Sequence, residues 1–336
     1  MFIAENINQF KKLFVGQLKN MLSADELGAF ILVLANSQQD EFLKKELQAD
    51  LETTFIALKN NFNAGKLKAT QDDVDVFRQL LDVELQDMPS WLYKTVGVWE
   101  VAFNSMRQLR PTRISSQILN SIKMDYDETK FHFNKPFLTP EILWQGSYND
   151  IKLLVLYNKF PFSDYHLLIA VSPEKNRSQE LTQETHQAIA YLAKSVERSF
   201  PGFGTGFNSL AAGASVNHMH FQGFVREQIF PVENNCWKHN GGDIDYPLHV
   251  KRFDNAEQAW LCLSDLINQD IAYNCLYRRN SCYVMPRKYQ GSEKLPDWLM
   301  GAGWLDVAGV MTVSDKETFN AIDSRSIENA LAVMSV

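Results

Sequence analysis

Three nitrogen-bearing side chains recur at alternate positions in the run His218-Met219-His220-Phe221-Gln222. If the run is a strand, successive side chains face opposite sides. His218, His220 and Gln222 then form a short row on one face, with Asn217, Met219 and Phe221 on the other. Such a row can surround a phosphate. Neutral imidazole is also a competent nucleophile, and its ordinary pKa near 6.5 leaves it mostly uncharged at neutral pH. On these residues alone three readings stand: two histidines satisfied within a core, a zinc site built from imidazoles two apart, or a catalytic pair.

The surrounding chain decides what positions the row. The 336 residues are 45% hydrophobic and 22% charged, with a formal net charge of −7. That is an ordinary globular composition, sufficient for one large domain or two moderate ones. Its acidity argues against nucleic acid or an anionic membrane as the main partner. The start of the chain lacks the basic and apolar stretches of a signal peptide, and no apolar window approaches a membrane span. Cys236, Cys262, Cys275 and Cys282 form no CxxC pair and no disulfide framework. Reduced thiols and a cytoplasmic location are expected.

Helical spacing of Phe10, Phe14, Leu18 and Leu22, and of Leu27, Phe30, Ile31 and Leu34, predicts that the first hundred residues are helical. Ser23 with Glu26 has the form of a capping box for the second helix. Further helices are expected over 39–60 and 71–85. Beyond residue 100, short stretches at 131–133, 141–145, 152–157 and 166–171 suit strands. An amphipathic helix is predicted over 181–200, with Thr182 as its cap and Ala188, Ile189, Leu192, Ala193 and Val196 as its buried stripe. Strands follow near 205–210 and 215–225. Gly301-Ala302-Gly303-Trp304 reads as a turn, and 319–334 as a closing helix.

The stretch from Gly206 to Phe224, containing Asn208-Ser209-Leu210 and Asn217-His218-Met219-His220-Phe221-Gln222, resembles the active-site segment of the histidine-triad (HIT-like) superfamily. The glutamine in third position is similar to its transferase branch, which includes galactose-1-phosphate uridylyltransferase, diadenosine tetraphosphate phosphorylase and, with the greatest similarity, the GDP-hexose phosphorylases. Tyr157-Asn158-Lys159-Phe160-Pro161-Phe162, followed by His166, resembles the superfamily's first strand pair. Arg110-Pro111-Thr112 and Phe131-His132-Phe133-Asn134-Lys135 resemble the entry segment of the GDP-hexose phosphorylases. The likeness is strong over residues 105–225 and faint to about 320.

The resemblance implies an α+β fold: an antiparallel sheet with helices on one side and a second, degenerate HIT-like half. The expected division is a helical region at 1–100, a catalytic domain at 101–230 and a degenerate half at 231–336. In that half Tyr273-Asn274 and Met285-Pro286-Arg287 echo Tyr157-Asn158 and Ser172-Pro173-Glu174. By resemblance His220 attacks the α-phosphorus of a nucleoside diphosphate derivative, leaving a nucleotidyl-histidine that a second phosphate-bearing acceptor discharges. The other ring nitrogen of His220 is expected to bond a backbone carbonyl, which fixes the attacking tautomer.

The resemblance places Asn208, Ser215 and Asn217 at the phosphates, Asn158 at the ribose, and His218 and His166 beside the reacting phosphate. Gln222 can donate to a phosphate oxygen but cannot exchange a proton at neutral pH, which suits an acceptor that arrives ionised. Arg110, Arg113, Lys135, Arg287 and Lys288 are candidate phosphate cations. The expected substrates are a nucleotide sugar or dinucleoside polyphosphate, with inorganic phosphate or a sugar phosphate. No metal and no cofactor is implied; the loose Cys236/His239 pair reads as incidental.

Overall fold

A computed structural model describes every residue except Met1, Asp25, 110–118 and Met300. Arg110 and Arg113 therefore lie outside the described residues.

The chain begins with four helices: α1 (Ile7–Leu22), α2 (Leu27–Ser37), α3 (Glu41–Asn63) and α4 (Gln71–Leu80). Asn6, Asp40 and Thr70 cap α1, α3 and α4 through side-chain oxygens. α2 is buried along almost its whole surface, consistent with its unbroken apolar run. The capping box expected at its start is absent. Ser23 instead closes α1, donating its hydroxyl to Asn20 O at 2.7 Å, and Glu26 takes the N-cap position without a side-chain bond. The link between the two helices is too short for Ser23 to serve both.

The helical region also ends earlier than expected. A hairpin of β1 (Leu92–Val96) and β2 (Trp99–Phe103) follows it, and β11 (Val310–Val313) adds to β2 in parallel.

The main sheet has eight antiparallel strands: β3 (Ile142–Tyr148), β4 (Ile151–Tyr157), β5 (Leu167–Val171), β6 (Phe203–Asn208), β7 (His220–Val225), β8 (Lys251–Phe253), β9 (Tyr273–Arg278) and β10 (Ser281–Pro286). Their order is β3-β4-β5-β7-β6-β9-β10-β8. The sheet crosses residue 230 without interruption, because β6 pairs with β9.

Alternation along each strand sorts the two faces. Leu153, Val155, Tyr157, Leu167, Ile169, Phe207, Phe221, Cys275 and Tyr277 face one core. That side is covered by α1, α2, α5 (Gln183–Val196) and α6 (Ala256–Asn268). Thr182 caps α5 as expected, in a capping box with Thr185. The opposite face is covered over β9 and β10 by the three-stranded sheet, α7 (Trp304–Val307) and α9 (Ser324–Met334). The expected closing helix is broken: α8 (Lys316–Ala321) ends before Asp323, whose side chain caps α9. Over β4, β5 and β7 that same face lies under a cavity.

Two expected strands differ. Residues 131–133 form no strand, because Phe133 N–H donates to His218 Nδ1 at 3.1 Å as the segment crosses above the sheet. The strand expected from 215 begins at His220, since the preceding backbone is drawn into loop contacts such as Met219 N–H to Arg177 O at 2.9 Å.

Candidate active site

His220 opens β7 and is held on three sides. Gln179 accepts from its backbone N–H at 2.9 Å and donates Nε2 to its carbonyl at 2.9 Å. The imidazole Nδ1 lies 2.8 Å from His218 O, so Nδ1 carries the proton and donates. Nε2 has no partner among the described residues, and the ring lines the cavity. Burial disfavours the cation and pushes the pKa down to about 4, although the His218 carbonyl opposes the shift. The ring is therefore neutral, in the tautomer with Nε2 open to attack. The carbonyl bond expected for the other nitrogen is present.

Gln222 shares this face, as alternation requires, and lines the cavity. Trp304 Nε1 donates to its Oε1 at 2.6 Å, leaving the amide NH2 as the available donor. Trp304 reaches this position because Gly206, paired with Gln222 across β6 and β7, has no side chain; a Cβ there would meet the indole at 2.2 Å.

His218 differs from expectation. It precedes the strand, and both ring nitrogens are engaged: Nδ1 accepts from Phe133 and Nε2 donates to Pro173 O at 3.0 Å. It does not line the cavity with His220, and it acts on that residue through its own carbonyl.

Asn158 lines the cavity beyond β4, with its Oδ1 accepting from Phe160 N at 3.0 Å. His166 sits behind it, fully buried, with Nδ1 accepting from Phe162 N–H at 3.2 Å. It therefore supports the Asn158 loop and does not flank the cavity.

Asn208 and Ser215 line the cavity. Asn208 Oδ1 accepts from Trp304 N and Asn274 Nδ2, each at 2.7 Å, so its NH2 group remains to donate. Asn217 is placed elsewhere. Its amide holds Gln179 N at 2.9 Å and Asp125 O at 2.8 Å, which anchors the loop.

The expected cations also differ. Lys135 donates to Glu128 O, Lys288 pairs with Glu293, and buried Arg287 holds Ala302 O at 2.8 Å. None of the three lines the cavity. Arg107 and Lys159 do. His239 Nε2 donates to Val232 O at 2.8 Å, and no cluster of metal-ligand type occurs among the described residues.

The cavity measures about 340 Å³, within the range of small-molecule sites, about 300–1,000 Å³. Its polar end holds His220, Gln222, Asn208, Ser215 and Asp306. Its other end is apolar, with Phe131, Phe137, Leu156 and Leu168, and contains Glu141. Gly213, at φ +99° and with room for no Cβ against Ala302 O, lets the two loops close the polar rim.

Residues 100–224 match the family model described as GDPGP1-like, N-terminal domain. Among curated proteins, GDP-D-glucose phosphorylase 1 of Danio rerio is 34% identical over 125 residues, covering 36% of this chain and 35% of that protein. GDP-L-galactose phosphorylase 2 of Arabidopsis thaliana is 24% identical over 274 residues, covering 68% and 62%. The chain thus spans about a third of the length of the Danio relative it matches. The crystal structure of yeast Ap4A phosphorylase in complex with Ap4A superposes with a TM-score of 0.51 at 16% identity, covering 73% of this chain and 88% of that one. The HIT-like α+β fold is therefore shared, and the chain resembles the GDP-hexose phosphorylases, as the sequence implied.

His218, His220, Gln222, Asn158, His166, Asn208, Ser215 and Asn217 all fall within the matched stretch, while the anticipated cations Arg287 and Lys288 lie beyond it. The site uses others that sequence reasoning passed over. Gln179 lies within the match but 41 positions from His220, and nothing local marks it. Trp304 and Asp306 lie beyond the match, where Trp304 had read only as part of a turn. Among the described residues no helix is long and apolar enough to cross a membrane.

Proposed function

We propose that the chain is a nucleotidyltransferase of phosphorylase type, acting on a nucleoside diphosphate sugar of the GDP-hexose kind through a nucleotidyl-His220 intermediate. The observation that carries this reading is the neutral imidazole of His220, its Nδ1–H held by a carbonyl and its Nε2 open to a cavity lined by amide donors.

In the first step Nε2 bonds to the α-phosphorus, the bond to the bridging oxygen breaks, and the sugar phosphate leaves. The imidazolium so formed keeps its Nδ1–H on His218 O, which disperses the new charge. Inorganic phosphate then attacks the same phosphorus. The P–N bond breaks, a nucleoside diphosphate leaves, and the imidazole returns neutral. The Gln222 and Asn208 amides donate to the phosphoryl oxygens where negative charge accumulates, and Ser215 joins them at the exposed rim. Asn158 meets the ribose, and the apolar end takes the base. The helices up to α4 serve as support, residues 101–230 carry the nucleophile, and residues 231–336, read as the degenerate half, complete the sheet and supply Trp304 and Asp306.

Incubation with GDP-hexoses, UDP-hexoses and diadenosine tetraphosphate, with and without inorganic phosphate, tests the proposal. Phosphate-dependent release of GDP and a sugar phosphate is the expected result. Release of GMP at the same rate without phosphate would make the protein a hydrolase. Cleavage of diadenosine tetraphosphate alone would move the substrate class, and tight binding without turnover would reduce the chain to a nucleotide sensor.

A further inference from the structure

We infer that Glu141 is the residue that reads the base, and that it selects guanine. This rests on the reading of the cavity as a nucleotide site and adds to it the group that sets base specificity.

Strand register gives the argument its geometry. Gln222 pairs with Leu168, Leu168 with Leu156, and Leu156 with Ile142, so one row crosses β7, β5, β4 and β3. Gln222, Leu168 and Leu156 all line the cavity floor, and Glu141 lines its far end, one residue before Ile142. Adjacent strands lie about 4.8 Å apart, so three steps span about 14 Å. A nucleoside monophosphate held by its phosphorus at His220 covers most of that span, and the Glu141 side chain reaches across the rest. Exposed rings of Phe131 and Phe137 flank this end and offer faces on which a base can stack.

The chemistry of the carboxylate selects among bases. Glu141 makes no hydrogen bond or ion pair among the described residues; the adjacent Lys159 is paired with Asp73 at 2.6 Å. An ionised carboxylate offers two acceptors and no donor. Guanine alone among the common bases presents two adjacent donors, N1–H and the 2-amino group, on one edge. Adenine and cytosine each set a ring-nitrogen acceptor beside their amino group, and uracil flanks its single N–H with two carbonyls. Burial, opposed by Lys159 and reinforced by Asp73, pushes the empty carboxyl up to about 7. Two charge-assisted bonds from guanine would favour its ionised form.

Titration calorimetry with GDP, IDP and ADP on the wild-type chain, Glu141→Gln and Glu141→Ala tests the assignment. The wild type should bind GDP on the order of 10- to 100-fold more tightly than ADP, and about 10-fold more tightly than IDP, which lacks the 2-amino donor. Glu141→Gln should erase the GDP advantage while holding or improving ADP binding, because a carboxamide matches adenine's donor and acceptor together. Glu141→Ala should bring all three ligands within about 3-fold. Retention of the GDP advantage in both variants overturns the inference and leaves the nucleotide site standing. Wild type that binds GDP and IDP equally overturns it without reference to any variant. Wild type that binds none of the three removes the nucleotide reading, and this inference with it.

Discussion

The same dipeptide, Tyr-Asn, occurs twice on the main sheet, at the end of β4 and at the start of β9, and the two copies do different work. Tyr157 ends β4 and gives its hydroxyl to Phe14 O at 2.7 Å, and Asn158 faces the cavity. Tyr273 opens β9 in the same core, but Asn274 is fully buried and donates to Asn208 Oδ1 and Ala212 O, each at 2.7 Å. The two proline-bearing segments likewise make different contacts. Pro173 O receives His218 Nε2 on one side, and Arg287 holds Ala302 O on the other. The strands are alike; what lies above them is not. Over β9 and β10 the face is closed by Trp304, Leu305 and their neighbours, whereas over β4 and β5 it lies open beneath Phe133 and Phe137. An asparagine becomes a cavity-facing group or an internal brace according to that cover.

The most forceful way to break this comparison is at the open side. His220→Ala should lower kcat by at least about 10³-fold, with no nucleotidyl-enzyme trapped in a single turnover. Near-normal turnover would remove His220 from the nucleophile's role.

Acid should weaken the same side next. His220 in the folded chain titrates near 4, below its ordinary 6.5, so the unfolded chain binds more protons between these values. The stability this residue supplies is present above about pH 6.5 and is lost as pH falls toward 4, on the order of 3 kcal/mol in all. Buried His218 and half-buried His239 are lowered in the same direction and add to the loss. Urea denaturation at several pH values measures it, and an equal slope in wild type and His220→Ala would contradict the assignment.

The two asparagines give the sharpest paired test. Asn274→Ala leaves Ala212 O and Asn208 short of a donor and should cost about 1–3 kcal/mol in unfolding free energy. Asn158→Ala should leave stability within about 1 kcal/mol and raise KM roughly tenfold. If both variants lost stability alike and kept substrate affinity, the division between facing group and brace would collapse. The smallest effect belongs to Trp304→Phe. It keeps the stacking on Phe224 (centroids 5.0 Å apart) and removes the bond to Gln222. A fall in kcat of about 3- to 10-fold is expected, with a lower Tm because the smaller ring leaves a gap at a fully buried position.

Local rules made much of this legible. Met219 and Phe221 enter the core while His220 and Gln222 face the cavity, because a strand alternates. Thr182 and the α5 stripe follow from capping and helical period. What local rules missed depends on contacts distant along the chain. His218 reads as a partner of His220 by parity, but Phe133 and Pro173 take its two nitrogens, and neither is near it in sequence. Asn217 lies inside the most distinctive motif yet serves the loop at Asp125. The hairpin of β1 and β2 escaped notice because two five-residue strands beside a long helical region leave little periodicity to detect.

The bonds that orient the polar end of the cavity have a consequence for the order of assembly during synthesis. Asn208 is fixed by Asn274 and Trp304, which lie 66 and 96 positions further along, and Gln222 by Trp304, 82 positions on. A growing chain that has emerged to residue 225 already contains the whole histidine motif. It still lacks the groups that aim Asn208 and Gln222 into the cavity. Pairings this distant carry a high loop-closure cost and form late. The partly made protein therefore holds His220 before its cavity-facing amides are aimed, and the proposed activity should appear only once α7 has docked.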